Sequence, residues 1–157
     1  MKRIKHIIVP VLCRIFVFNP LLPIHAQETA AEIEYLSDGS YYLTEIQVDS
    51  VPSARLSAAN RTRTVSKTAR YFSSSGNVLW YVKLTATFTY NGTTSSCISA
   101  YATADSYSSS WKISRKSASK TGNKAAATAA ATQYTKSKPA RLRTKTVTLT
   151  CDKNGRF

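Results

Sequence analysis

The chain reads as an all-β protein: a single antiparallel β-sandwich or partly open barrel of about 7-8 strands, preceded by a signal peptide. Two patterns predict this. Residues 80–104 (WYVKLTATFTYNGTTSSCISAYATA) alternate apolar and polar side chains on both sides of Asn91-Gly92, the dipeptide that most readily takes the positive φ values of a type I′ hairpin turn. Residues 141–151 (RLRTKTVTLTC) alternate strictly. The other β-prone runs are short and end at turn-forming residues, the spacing of a sandwich or barrel.

The chain opens with MKRIKH, continues through an apolar stretch over residues 7–24, and reaches Ala26-Gln27. This is the charged, apolar and small-residue order of a secretory signal, so 1–26 are expected to be removed by cleavage after Ala26. A retained anchor fits less well, because Pro10, Arg14, Asn19, Pro20 and Pro23 interrupt a segment barely long enough to cross about 30 Å of hydrocarbon. Cys13 lacks the small residue that precedes a lipoprotein cysteine.

Residues 27–50 form an acidic segment with a short hairpin. It holds Glu28, Glu32, Glu34, Asp38, Glu45 and Asp49 and no Lys or Arg. Asp38-Gly39 signals the turn between short β-prone runs at 33–36 and 41–48. The segment either folds over a basic face of the same domain or is a solvated lead-in. Residues 51–60 (VPSARLSAAN) read as a linker by their Pro, Ser and Ala content. The body is 61–157, continuous with 27–50 as one domain.

Within the body, 61–73 is a strand and 74–77 (SSGN) a turn into the central hairpin. Pairing Tyr90 with Thr93 sets Ala86 opposite Cys97, Leu84 opposite Ser99 and Val82 opposite Tyr101. One face then carries Trp80, Val82, Leu84, Ala86, Phe88, Cys97 and Tyr101, which alternation assigns to the core. Ile98, Ala100, Ala102 and Ala104 fall on the other face. Trp111-Lys112-Ile113 begins another strand, which stops at Thr121-Gly122-Asn123. Residues 125–132 (AAATAAAT) have high helix propensity but no stripe of large apolar residues. They are expected to be a strand of small side chains. A turn at 136–139 leads into 141–151, whose alternate residues are Arg141, Arg143, Lys145, Val147, Leu149 and Cys151.

After cleavage the cysteines left are Cys97 and Cys151. In an oxidising compartment the default is a disulfide between them, worth about 4 kcal/mol on the chain-entropy model. Both histidines, His6 and His25, lie in the segment expected to be removed. Zinc sites, Ser-His-Asp triads and Cys-His dyads are thereby excluded in their usual forms. No cofactor or metal is expected.

Several patterns imitate enzymes. Ser109 to Lys112 and Ser117 to Lys120 are Ser-x-x-Lys, Ser75 to Asn77 is Ser-x-Asn, and Lys120-Thr121-Gly122 is Lys-Thr-Gly, the elements of penicillin-recognising serine enzymes. Those elements belong to separate parts of a larger fold, whereas here one Ser-x-x-Lys shares its lysine with Lys-Thr-Gly. Asp105 and Asp152 could form a glycosidase pair only at a set separation. Cys97, Trp111 and Cys151 follow the Cys-Trp-Cys order of immunoglobulin domains, yet too few strands fit between Trp111 and Cys151. No catalytic residue is assigned, and the chain is read as a non-enzyme.

The succession Asp38-Gly39-Ser40-Tyr41, Ser75-Gly76-Asn77, Leu79-Trp80, Phe88-Thr89-Tyr90-Asn91-Gly92, Cys97, Ser110-Trp111-Lys112-Ile113, Ser117-Ala118-Ser119-Lys120 and Thr146-Val147-Thr148-Leu149-Thr150-Cys151 resembles a family of small secreted β-rich proteins of Gram-positive gut bacteria. The resemblance covers most of the chain after the signal. It implies export, one domain and β structure, and it adds no site. Relatives alternate Thr and Ala where this chain has AAATAAAT, which implies a strand there.

Residues 50–157 hold 18 bases against Asp105 and Asp152, and the chain after Ala26 carries a net charge of +10. Arg61, Arg63 and Lys67 share one strand face, as do Arg141, Arg143 and Lys145, at steps of about 6.8 Å per two residues. These six residues are the candidate polyanion site. The function expected is a secreted, non-catalytic protein that binds an anionic cell-envelope or glycan polymer through this basic surface. The alternative is a structural or inhibitory protein that acts by protein–protein contact. Nucleic acid fits poorly, since export argues against it and no aromatic-rich binding motif is present. No stable membrane insertion is expected once the signal is gone.

Overall fold

The computed structural model describes residues 31–48 and 61–157, so the expected signal peptide at 1–26 and the linker at 51–60 lie outside the described residues. The described strands are β1 (Ala31–Tyr35), β2 (Tyr41–Val48), β3 (Arg61–Phe72), β4 (Val78–Tyr90), β5 (Ser95–Ser106), β6 (Trp111–Thr121), β7 (Lys124–Thr135) and β8 (Lys138–Thr150). They form two antiparallel sheets, ordered β1-β2-β3-β4-β5 and β6-β7-β8. Each strand ladders with its chain neighbour except β5 and β6, where the chain crosses from one sheet to the other. No helix occurs among the described residues, and the all-β class expected from alternation holds. The order is a plain meander, unlike the Greek key of an immunoglobulin domain.

The inner face of β4 is the centre of the core. Trp80, Val82, Leu84, Ala86, Phe88 and Tyr90 are all buried, and Val65, Ala69 and Tyr71 of β3 lie beside them. From the second sheet come Ala125, Ala127, Ala129 and Ala131 of β7, with Val147 and Leu149 of β8. The run AAATAAAT is therefore a strand, as expected. Its small side chains let Cα atoms of β7 come within 8 Å of β4 and β5, closer than the roughly 10 Å usual between packed sheets. A helix there would have buried only part of these alanines, and alternation buries every second one.

The register of the central hairpin differs from the expected one. Tyr90 pairs with Ser95 rather than Thr93, because the loop is longer than two residues. The Asn91 Oδ1 accepts the backbone N–H groups of Thr93 (3.0 Å) and Thr94 (2.8 Å), and the Gly92 N–H donates to the Lys153 carbonyl (2.8 Å). Gly92 takes φ +85, which a side chain would resist. A second slip follows at a bulge, where Phe88 pairs with Cys97 but Thr87 pairs with Ser99. The extra residue, Ile98, reverses the faces beyond it. Cys97 stays inside, while Ala86, Leu84 and Val82 now face Ala100, Ala102 and Ala104. Tyr101, expected in the core, is 67% exposed.

The C-terminal turn closes one end of the sandwich. The Asp152 Oδ1 accepts the N–H groups of Asn154 and Arg156, both at 2.8 Å. Gly155 lies flat on the Tyr90 ring, where a Cβ would come within 2.4 Å of it. Only glycine fits there.

Candidate polyanion-binding surface

Alternation settles the fate of the six bases singled out from the sequence. On β3, Arg61, Arg63 and Lys67 share a face with the buried Val65, Ala69 and Tyr71. Arg61 is exposed, whereas Arg63 and Lys67 are half-buried. The Arg63 guanidinium donates to the Gly155 carbonyl (2.8 Å) and so fastens the C-terminal turn. Lys67 is the cross-strand partner of Ile46 and Leu84, an apolar setting for its stem.

The β8 set is engaged more completely. Arg141 and Arg143 both donate to Asp38 Oδ2, the latter at 2.7 Å, and Lys145 donates to Glu34. The Lys145 ammonium also stands 4.6 Å above the Tyr42 ring centre, a cation–π contact. Of the two fates open to the acidic segment, the structure shows the first: the β1–β2 hairpin folds over a basic face of the same domain. The Ser40 hydroxyl and backbone N–H and the Arg143 guanidinium hold the Asp38 carboxyl far below the usual carboxylate range. The Tyr71 hydroxyl donates to Ser40 Oγ (2.9 Å), which ties this cluster to the core. Burial, with Tyr71 adding to it, pushes the Tyr42 hydroxyl pKa up.

A third set of bases lies on β6, outside the six expected to meet a polyanion. Lys112, Arg115, Lys116 and Lys120 are all exposed. A bulge at Ser114 separates two pairings, since Ile113 faces Ala131 and Arg115 faces Ala130. The bulge puts Lys116 and Lys120 on the same side as Trp111 and Ile113, and Arg115 on the opposite side with Ser117 and Ser119. Lys120 donates to the Ile98 carbonyl, and the Lys112 ammonium lies 5.4 Å from the Tyr134 ring centre. Among the described residues none of the four joins an ion pair, and their partners on β7 are Ala and Thr. From Lys112 to Lys120 the strand runs about 27 Å. The run WKISRKSASKT carried the signal in plain sight: no acid lies between Asp105 and Asp152.

Two of the enzyme-like patterns, the second Ser-x-x-Lys and the carboxylate pair, do not assemble. Ser117 and Lys120 sit on opposite faces of β6, as residues three apart on a strand must. Asp105 lies near the end of β5, and Asp152 follows β8, whose end sits beside the start of β5. The length of β5 therefore separates the two carboxylates, roughly 30 Å, far beyond any glycosidase pair. Trp111 packs on Tyr71 (5.4 Å between ring centres), at the opposite end of β6 from the cysteines.

Cys97 and Cys151 are free thiols in this structure, both buried, so the disulfide expected from the sequence is not formed here. Each sulfur points at a nearby backbone carbonyl, that of Ser99 (3.2 Å) for Cys97 and that of Asp152 (3.4 Å) for Cys151. The two residues nonetheless flank one turn: the Cys97 N–H donates to the Gly122 carbonyl and the Cys151 N–H to the Asn123 carbonyl. Burial, with Asp152 and Cys97 adding to it, pushes the Cys151 thiol up to about 11.

No known protein family, characterised protein or solved structure matches this chain.

Proposed function

We propose that the protein is an exported, non-catalytic module that binds an anionic envelope or glycan polymer, with β6 as the principal contact. The observation that carries this reading is a strand exposed along most of its length, bearing Lys112, Arg115, Lys116 and Lys120 with no ion-paired carboxylate among the described residues. Clustered charge of one sign raises the local concentration of an oppositely charged chain and weakens with salt. Of the bases first singled out, Arg61 is exposed on β3 in the other sheet, Lys67 is half-buried on the core-facing side of that strand, and Arg141, Arg143 and Lys145 are satisfied by Asp38 and Glu34. Lysines on an edge strand also discourage pairing with another sheet, which weighs against action through strand pairing. Export follows from the signal-like residues 1–26, and it would bring Cys97 and Cys151 into an oxidising compartment where a cross-link between them is favoured.

The test is retention of the mature protein on an immobilised polyanion across a salt gradient. The wild type is expected to elute late at low ionic strength and progressively earlier as salt rises. Replacing Lys112, Arg115, Lys116 and Lys120 together by Ser is expected to weaken binding by tenfold or more, on the order expected for several lost charge contacts. Retention that ignores salt, or survives the quadruple replacement, would remove the basis of this reading.

A further inference from the structure

We infer that the polymer is an acidic polysaccharide, held at the start of β6 by a sugar ring stacked on Tyr107; this rests on the polyanion reading above. β6 begins beside an open depression of about 480 Å³ lined by Asp105, Ser106, Tyr107, Ser108, Trp111 and Lys112. Tyr107 is 67% exposed, yet it is firmly supported. One face of its ring lies on Tyr81, with ring centres 5.6 Å apart and planes at 30°. Its backbone N–H donates to the Leu79 carbonyl (2.9 Å). The hydroxyl of the preceding Ser106 stands within reach of the carbonyls of Leu79 (3.1 Å) and Ser108 (3.0 Å), either of which can accept its one proton, and Ser108 and Ser110 share a hydroxyl contact of 2.9 Å. The loop is thus tied down before any ligand arrives, which keeps the entropy cost of using the ring low.

The surroundings of that ring choose between kinds of polyanion. A pyranose has an apolar C–H face that stacks on an aromatic ring, hydroxyls that donate to a carboxylate, and, in an acidic sugar, an anion of its own. The depression presents the matching set in Tyr107, Asp105 and Lys112, and Arg115 follows Lys112 on the same side of β6, with Lys116 and Lys120 on the other side of the strand. A chain of bare phosphates or of carboxylate side chains could use the bases. It has no donor for Asp105, which would repel it, and no flat apolar face for Tyr107. A neutral glucan could use the ring and Asp105 but leaves the bases without partners.

The experiment compares binding of the mature protein, by calorimetry at low ionic strength, to polygalacturonate, polyphosphate and dextran. Polygalacturonate is expected to bind most tightly. Tyr107→Ala is expected to weaken it by several-fold to about tenfold and leave polyphosphate unchanged, while Tyr107→Phe keeps wild-type binding. Tyr101→Ala, which removes an equally exposed tyrosine outside the depression, is expected to change neither. The inference is overturned, with the polyanion reading intact, if polyphosphate binds as tightly as polygalacturonate or if Tyr107→Ala binds polygalacturonate like wild type. Dextran bound as tightly as polygalacturonate, or no binding of either polyanion, overturns both.

Discussion

Asp38 shows how one side chain can decide the fate of several others. Its carboxylate takes Ser40 on one oxygen and Arg141 and Arg143 on the other, so two of the bases that composition offers to a ligand are already occupied. A folded-state pKa below the unfolded one means that this contribution to stability is complete above the ordinary aspartate pKa, near about 4, and is lost as pH falls below it through the lower folded value. Hydrogen exchange of β1 and β2 amides is expected to stay slow at a pH where a free aspartate is already half protonated. Asp38→Asn is expected to speed that exchange at neutral pH and to shift polyanion elution to higher salt by releasing Arg141 and Arg143. An unchanged elution position would show that the pair is not a competitor for the ligand. The residues alone left open whether the acidic segment meets a basic face at all. The sequence shows an acidic block and a basic block, but which carboxylate meets which base depends on β1 and β8 lying at the same side of the sandwich.

At the scale of elements, the strands could be read from their alternation, and the connections between them misled. Asn91-Gly92 has the composition of a two-residue type I′ turn, but tertiary bonds from Asn91 Oδ1 and the Gly92 N–H lengthen that loop. The tight turn with positive φ at both centres lies instead at Lys136 and Ser137, with φ of 48 and 63, between the paired Thr135 and Lys138. Neither residue favours that region, and each carries a cost there of roughly 1–2 kcal/mol. Lys136→Asn combined with Ser137→Gly is therefore expected to stabilise the protein by about 1–2 kcal/mol in total and to raise Tm by several degrees. Thermal unfolding of the double variant checks this, and an unchanged Tm would mean that the β7–β8 twist imposes no such turn. Bulges at Ile98 and Ser114 are the other feature the alternation pattern cannot show. A single extra residue reverses every face after it, which moved Tyr101 out of the core and put Lys116 and Lys120 on the side of β6 opposite Lys112.

For the molecule as a whole, the two buried thiols bear on how the sheets are held together. Cys97 belongs to the five-stranded sheet and Cys151 follows the last strand of the other, so a bond between them would tie the sheets together beside the β6–β7 turn. If the protein is exported as proposed, material recovered from the oxidising compartment is expected to weigh less than the free-thiol form by two hydrogens. Its reduction is expected to lower stability by up to about 4 kcal/mol. Thiols that react freely after denaturation without reductant would exclude the bond. The reduced form carries its own signature: with the Cys151 thiol raised to about 11, stability is full below the ordinary thiol range and falls as pH rises towards that value.

The amino-acid order by itself determined the all-β class, the strand character of AAATAAAT, the burial of β4 and the excess of positive charge, because each follows from side chains a few residues apart along an extended chain. Tertiary structure alone decided which bases join an ion pair among the described residues. Pairing of β1 with β2 and the approach of β8 neutralise one basic set, the C-terminal turn engages Arg63, and β6 is left uncovered at the edge of the smaller sheet. Those outcomes depend on contacts between residues about a hundred positions apart, as with Asp38 and Arg143, and local periodicity holds no record of such distances.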